Sequence, residues 1–217
     1  MEGVAHIFTP LNAAWCGWTM LFLMLCAVIS EMMQPGVISQ AGASLRVRTE
    51  RVYKDAPTNF ISQFLITIFR IGTLAIAIYL SFYSGGHFSF GIFAILCGIT
   101  FVTALVKMAG DELADYTFML SRRFSPAYEH YANILTITSC ILYPCVLVLL
   151  RFGNVVASRW VLGATIIIFF LLWIYRASRH FVNSPQAVLY FILYICTLEF
   201  LPLGLLLYLS SQTINCL

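Results

Sequence analysis

Charge is what this sequence has least of. Asp, Glu, Lys and Arg make up 10% of its 217 residues, where a soluble domain carries about 25%. That scarcity excludes an ordinary water-facing surface. The net charge of +3 is small and scattered, without the basic patch that nucleic acid requires, so no nucleic-acid partner is expected.

The patterns of site chemistry are missing too. There is no Cys-x-x-Cys; Cys16, Cys26, Cys97, Cys140, Cys145 and Cys196 all lie inside apolar runs, with Cys216 at the tail. They read as small buried hydrophobes rather than a disulfide framework. His6, His87, His130 and His180 are far apart and show no metal-ligand spacing. No Gly-x-Ser-x-Gly elbow and no phosphate-binding glycine loop occurs. No catalytic residue, metal or cofactor is expected, and the chain reads as a non-enzyme.

What is present is hydrocarbon. Apolar residues make up 61% of the chain and aromatics 15%, with a mean hydropathy of +0.90. A helix that crosses a bilayer needs about 20 mostly apolar residues. Six stretches qualify: 11–33, 61–83, 88–109, 131–152, 160–176 and 187–209. The first has no basic region before it and is too long for a cleaved signal, so it is read as a span. No internal repeat is evident. The predicted fold is an all-α membrane bundle of about six transmembrane helices, a single domain over residues 1–217.

Positive charge sets the orientation. Arg46, Arg48, Arg51 and Lys54 fall in one connection, Lys107, Arg122 and Arg123 in a second, and Arg176 and Arg179 in a third. These three alternate with connections that carry only Arg151 and Arg159. The bias puts the basic connections in the cytoplasm and both termini outside. Trp15, Trp18, Tyr83, Trp160 and Tyr208 then mark the outer interface, and Tyr128, Tyr131, Trp173 and Tyr175 the inner one.

Within the second basic connection, GDELADYTFMLSRRF begins with Asp111, Glu112 and Asp115 and ends with Arg122 and Arg123. That order complements a helix macrodipole, and Leu113, Leu120 and Phe124 recur at helical spacing. The stretch is predicted to form one amphipathic helix lying in the interface. Asp111 and Asp115 are four residues apart, like half of an aspartate-rich motif that grips magnesium and diphosphate, with Arg122 and Arg123 as phosphate partners. A second such cluster is missing, and a solvated helix start explains the residues equally simply.

Two charges sit inside spans. Glu199 is about 18 Å and Arg70 about 15 Å from the cytoplasmic ends of their helices, at 1.5 Å per residue. Alone, each costs on the order of 3 kcal/mol or more at mid-membrane. An intramembrane Arg70–Glu199 pair therefore joins the second and sixth spans in this reading. In the second span, Gln63, Thr67, Arg70, Thr73, Ala77 and Ser81 recur every three or four residues and share one polar face, suited to a bundle interior or a wet path. Two roles fit the pair: a packing lock, or a working site such as a proton relay. Pro202 and Pro144 each remove a helix hydrogen bond in their spans.

The tail carries a resemblance. YFILYICTLEFLPL, with Tyr194, Cys196, Thr197, Leu198, Glu199 and Pro202, resembles a Bacteroidota family of integral membrane proteins catalogued as domain of unknown function 4271. Tyr175, Arg176 and Arg179 in IYRASRHF match that family's pattern, and Asn133 and Pro144 fall where it has an asparagine-led span and a proline. The resemblance covers about 115–210. It implies the inner membrane of a Gram-negative bacterium and no established activity. The expected partners are the lipid bilayer and a membrane protein or a second copy of the chain. Two functions are open: a non-enzymatic component of an envelope assembly, or a small proton-coupled transporter using Arg70 and Glu199.

Overall fold

In the computed structural model, residues 14–36, 38, 59–82, 89–118, 121–152, 155–181 and 200–216 are described. They form six helices: α1 (Ala14–Met33), α2 (Phe60–Phe82), α3 (Phe90–Phe118), α4 (Ser121–Phe152), α5 (Val155–Phe181) and α6 (Leu201–Cys216). Five contain stretches long and apolar enough to cross a membrane: Trp15–Met33, Phe60–Phe82, Phe90–Gly110, Ala132–Arg151 and Val155–Tyr175. The chain is an all-α, multi-pass membrane protein.

Helix is the obligate choice for such segments, because hydrocarbon offers no partner to a free N–H or carbonyl. The hydroxyls obey the same rule by folding back onto their own helices. Thr73 donates to the Phe69 carbonyl at 2.7 Å, Thr100 to Leu96 at 2.8 Å and Thr165 to Val161 at 2.7 Å.

Several helix ends differ from the sequence reading. α5 begins at Val155 rather than 160, because Arg159 is not a flanking charge: its Nε donates to the Ser81 carbonyl of α2 at 2.8 Å. α6 runs to Cys216, past the expected end at 209; its polar last turns hold Ser211 and Thr213 hydroxyls on the carbonyls of Tyr208 and Leu209. Residues 187–199 of the expected sixth span lie outside the described residues, and the described part, Leu201–Ile214, is a shorter apolar helix.

The expected interfacial amphipathic helix is not a separate element. Residues 111–118 continue α3, with no proline to stop it, and Arg122 and Arg123 open α4. Asp111, Glu112 and Asp115 therefore sit in the last turns of one helix and the two arginines in the first turn of the next. That is the reverse of the macrodipole order that suggested a single helix.

α2 is the hub. Its span is 61% buried, against 17% to 44% for the other four, and it packs against each of the five other helices. Those five close around it. Tyr143 of α4 donates to the Met20 carbonyl of α1 at 2.9 Å, and α4 packs on α5. Phe170 of α5 stacks on Phe200 at the head of α6, and α6 packs on α3. Trp15 of α1 meets Phe90 and Phe93 of α3. The core is correspondingly rich in α2 side chains, with Ile66, Ala75, Ile76, Ile78 and Tyr79 all at most 1% exposed. Gly72 lets α1 approach: a Cβ there would lie 2.5 Å from Leu23 Cδ2.

Candidate functional site

Arg70 is half-buried on α2, and its Nη2 donates to Thr136 Oγ1 of α4 at 2.5 Å. Thr136 is 1% exposed and its hydroxyl donates to the Ala132 carbonyl at 2.9 Å. The neighbouring Phe69 packs its ring on Tyr143, 5.6 Å between centroids. The guanidinium thus reaches α4 about two turns nearer its start than Phe69 does. That is the direction in which a helical side chain leans, toward the N-terminus of its own helix, and it carries the charge toward the interface.

The polar face of α2 does not line one open path. Gln63 is exposed, and Thr67 bonds back to the Gln63 carbonyl at 2.8 Å. Thr73, Ala77 and Ser81 are buried. Ser81 bonds the carbonyls of Ala77 and of Ser158 on α5, at 2.7 and 3.1 Å, while Ser158 donates to the Leu80 carbonyl at 2.9 Å. The single stripe on a helical wheel is divided among several neighbours because α2 is surrounded.

Glu199, Tyr194, Cys196 and Thr197 lie outside the described residues, so the proposed partner of Arg70 is not among them. Pro202 is buried near the start of the described part of α6. Next to Glu199 in the chain, Phe200 stacks on Phe170 at 4.8 Å and 10°. Leu203 packs on the cluster of Ile134, Phe169, Phe170 and Trp173. Trp173, expected at the interface, is instead 7% exposed within that cluster. Lys107, grouped with the flanking charges, lies within α3 and is 9% exposed.

Asp111, Asp115, Arg122 and Arg123 have helical backbones, and their side chains lie outside the described residues. Among the described residues, no three His, Cys, Asp or Glu side chains gather as a metal site would require.

Two features escaped the sequence reading. At the basic end of the bundle, Ser30 of α1 and Ser62 of α2 bond to each other, their oxygens 2.8 Å apart. The next residue of α1, Glu31, clamps the chain leaving the helix: Oε1 accepts from Gly36 N at 2.7 Å and Oε2 from Ile38 N at 2.9 Å. Gly36 has φ 95° there, a left-handed conformation that glycine adopts without strain. The signal was legible as a glutamate just ahead of Gln34-Pro35-Gly36, a carboxylate placed to accept from a turn. Beside this clamp a groove of about 450 Å³ opens between α1, α2 and α4, with Met24, Val28, Glu31, Phe69, Cys140 and Tyr143 along it.

No curated protein and no solved structure matches the chain. The family described as domain of unknown function DUF4271 matches residues 17–209. That match extends the kinship, expected over 115–210, through α1, α2 and α3. With the match covering nearly the whole bundle, the chain belongs to the DUF4271 family.

Proposed function

We propose that the chain is a non-enzymatic component of an envelope assembly in a bacterial inner membrane, with both termini on the periplasmic side. The observation that carries this reading is the closure of α2. Three of its polar side chains bond neighbouring helices: Ser62 to Ser30, Arg70 to Thr136, and Ser81 to Ser158. Such bonds fix which helices meet, which is what a scaffold in the membrane needs. The Arg70–Glu199 pair is then a further lock between α2 and the last span. The inner-membrane location rests on the family's resemblance and on the Lys and Arg bias of the connections.

The test is a pull-down from the native locus in mild detergent. A defined set of envelope proteins in near-stoichiometric amount supports the reading. A lone protein overturns it and favours the second reading, a small proton-coupled transporter. That alternative draws on one observation, a guanidinium held half-buried at the centre of the bundle, since intramembrane charge so often marks a proton or substrate path.

A further inference from the structure

Two cations stand at the end of the bundle where α2 finishes and α5 begins. Arg159 lies in the second turn of α5, about 6 Å along the helix from Val155. Its side chain leans back toward that start, as helical side chains do, and its Nε donates to the Ser81 carbonyl at 2.8 Å. Ser81 is the last residue but one of α2. The guanidinium is therefore level with the end of α2, where hydrocarbon gives way to headgroups. Arg151 lies in the last turn of α4, at the same end. Both arginines are exposed.

The bond to Ser81 holds the guanidinium in place. That carbonyl is among those a helix leaves unpaired at its C-terminus, and it occupies one of the five N–H donors of Arg159. Among the described residues, Nη1 and Nη2 of Arg159 meet no acceptor, and Arg151 makes no hydrogen bond or ion pair. No counter-charge is at hand either: the helix turns that reach this end contain no Asp or Glu. A charge that faces a bilayer without a partner is costly. The edge formed by Nη1 and Nη2 is a planar fork that fits two oxygens of a phosphate.

The same helix offers a track for hydrocarbon. Val156, Trp160, Ile167 and Leu171 are 62%, 76%, 61% and 63% exposed, and their spacing puts them on one face of α5. Arg159, three residues from Val156, borders the head of that face. A lipid lying along it brings its phosphate to the fork. A choline or ethanolamine head would set its own cation beside two arginines, and a head with net negative charge does not. We propose that Arg159, supported by Arg151, binds the phosphate of an anionic phospholipid of the phosphatidylglycerol class in the leaflet at this end. The Ser81 carbonyl is what positions the fork. The site requires only that the chain spans a membrane, and it does not depend on the envelope-assembly reading.

The test is photocrosslinking at a matched depth. The full-length protein, with p-benzoylphenylalanine in place of Trp160, is reconstituted into vesicles of equal parts dioleoyl phosphatidylglycerol and dioleoyl phosphatidylcholine. A second version carries the same probe in place of Ile95, which is 46% exposed on α3 and as far into its span as Trp160 is into its own. Mass spectrometry of the crosslinked lipid should show phosphatidylglycerol enriched about fivefold from position 160, the increment of one basic residue at a charged surface, and not enriched from position 95. Arg159→Gln keeps a donor for the Ser81 carbonyl and should bring the ratio close to one. Arg159→Lys keeps the charge, loses the fork, and should lower the enrichment at least about twofold. Arg151→Gln, at a side chain with no described bond, should lower it by about half. Inorganic phosphate, balanced against chloride of equal ionic strength, should leave it unchanged. Equal enrichment at the two positions, enrichment that survives Arg159→Gln, full enrichment in Arg159→Lys or Arg151→Gln, or displacement by inorganic phosphate overturns the proposal.

Discussion

Ser30 and Ser62 are both 0% exposed and share two hydroxyl protons among three contacts: 2.8 Å between the oxygens, and 3.0 and 3.1 Å from each oxygen to the other residue's carbonyl. The pair ties α1 to the hub helix at the basic end, as Ser81 and Ser158 tie α5 at the other. In a membrane interior a bond of this kind is worth about 0.6 to 1.7 kcal/mol. Ser30→Ala and Ser62→Ala should each destabilise the protein by about 1 kcal/mol. The double variant should cost less than the sum, because each single change already breaks the bond the two oxygens share. Reversible unfolding in mixed micelles measures this; strict additivity would show that the two hydroxyls act independently.

The approach of α1 to α2 has a second requirement at Gly72. Its missing Cβ makes room for Leu23, which is 3% exposed. The clashing atoms are the mobile end of a side chain, so Gly72→Ala should be tolerated at a cost of about 1 to 3 kcal/mol. Gly72→Leu should abolish accumulation of folded protein. Combining Gly72→Ala with Leu23→Ala should recover part of the loss, because the new methyl enters space the leucine vacates. Chromatographic monodispersity together with thermal stability reads both effects.

Orientation follows from the ends of the same helices. Met33, Phe60, Gly110, Ala132 and Tyr175 close the five spans at one end, where the connections hold most of the Lys and Arg. Trp18 and Trp160 lie near the other end, 71% and 76% exposed, as interfacial aromatics are. An alkaline phosphatase fused after Cys216 should be active in the periplasm, and a fusion at Lys54 inactive. Activity at Lys54 would invert the topology.

The spans were legible because a bilayer fixes their length and excludes charge from them. Their neighbours were not. Ser30, Ser62 and Ser158 look like interruptions in apolar runs, and only the fold pairs residues 32 and 77 or more positions apart. The polar stripe of α2 was read as one face when a helix surrounded on all sides has no single buried face. The amphipathic stretch after Gly110 failed for a related reason: periodicity locates a face, while the break between α3 and α4 falls inside the stretch. Glu31 sits at a span end, where a charge is ordinary in sequence, although a carboxylate ahead of a Pro-Gly turn carries its own signal.

Arg70 and Glu199 offer the sharpest separation of the two proposed functions. Thr136 is the described acceptor for Arg70, so Thr136→Val removes a charge-assisted bond without changing volume and should cost about 1 to 3 kcal/mol. If the pair is a lock, Glu199→Gln should reduce folded protein in the membrane, because a guanidinium is left without its counter-charge. Arg70→Met combined with Glu199→Gln should then recover part of the level, since a neutral apolar side chain needs no partner. If the pair relays protons, Glu199→Gln should keep the wild-type level and lose activity, and the double variant should recover nothing. Quantitative immunoblotting of membranes, followed by size-exclusion chromatography in detergent, distinguishes the two before any substrate is known. Recovery of folded protein in the double variant supports the scaffold, and a normal level of Glu199→Gln excludes the lock.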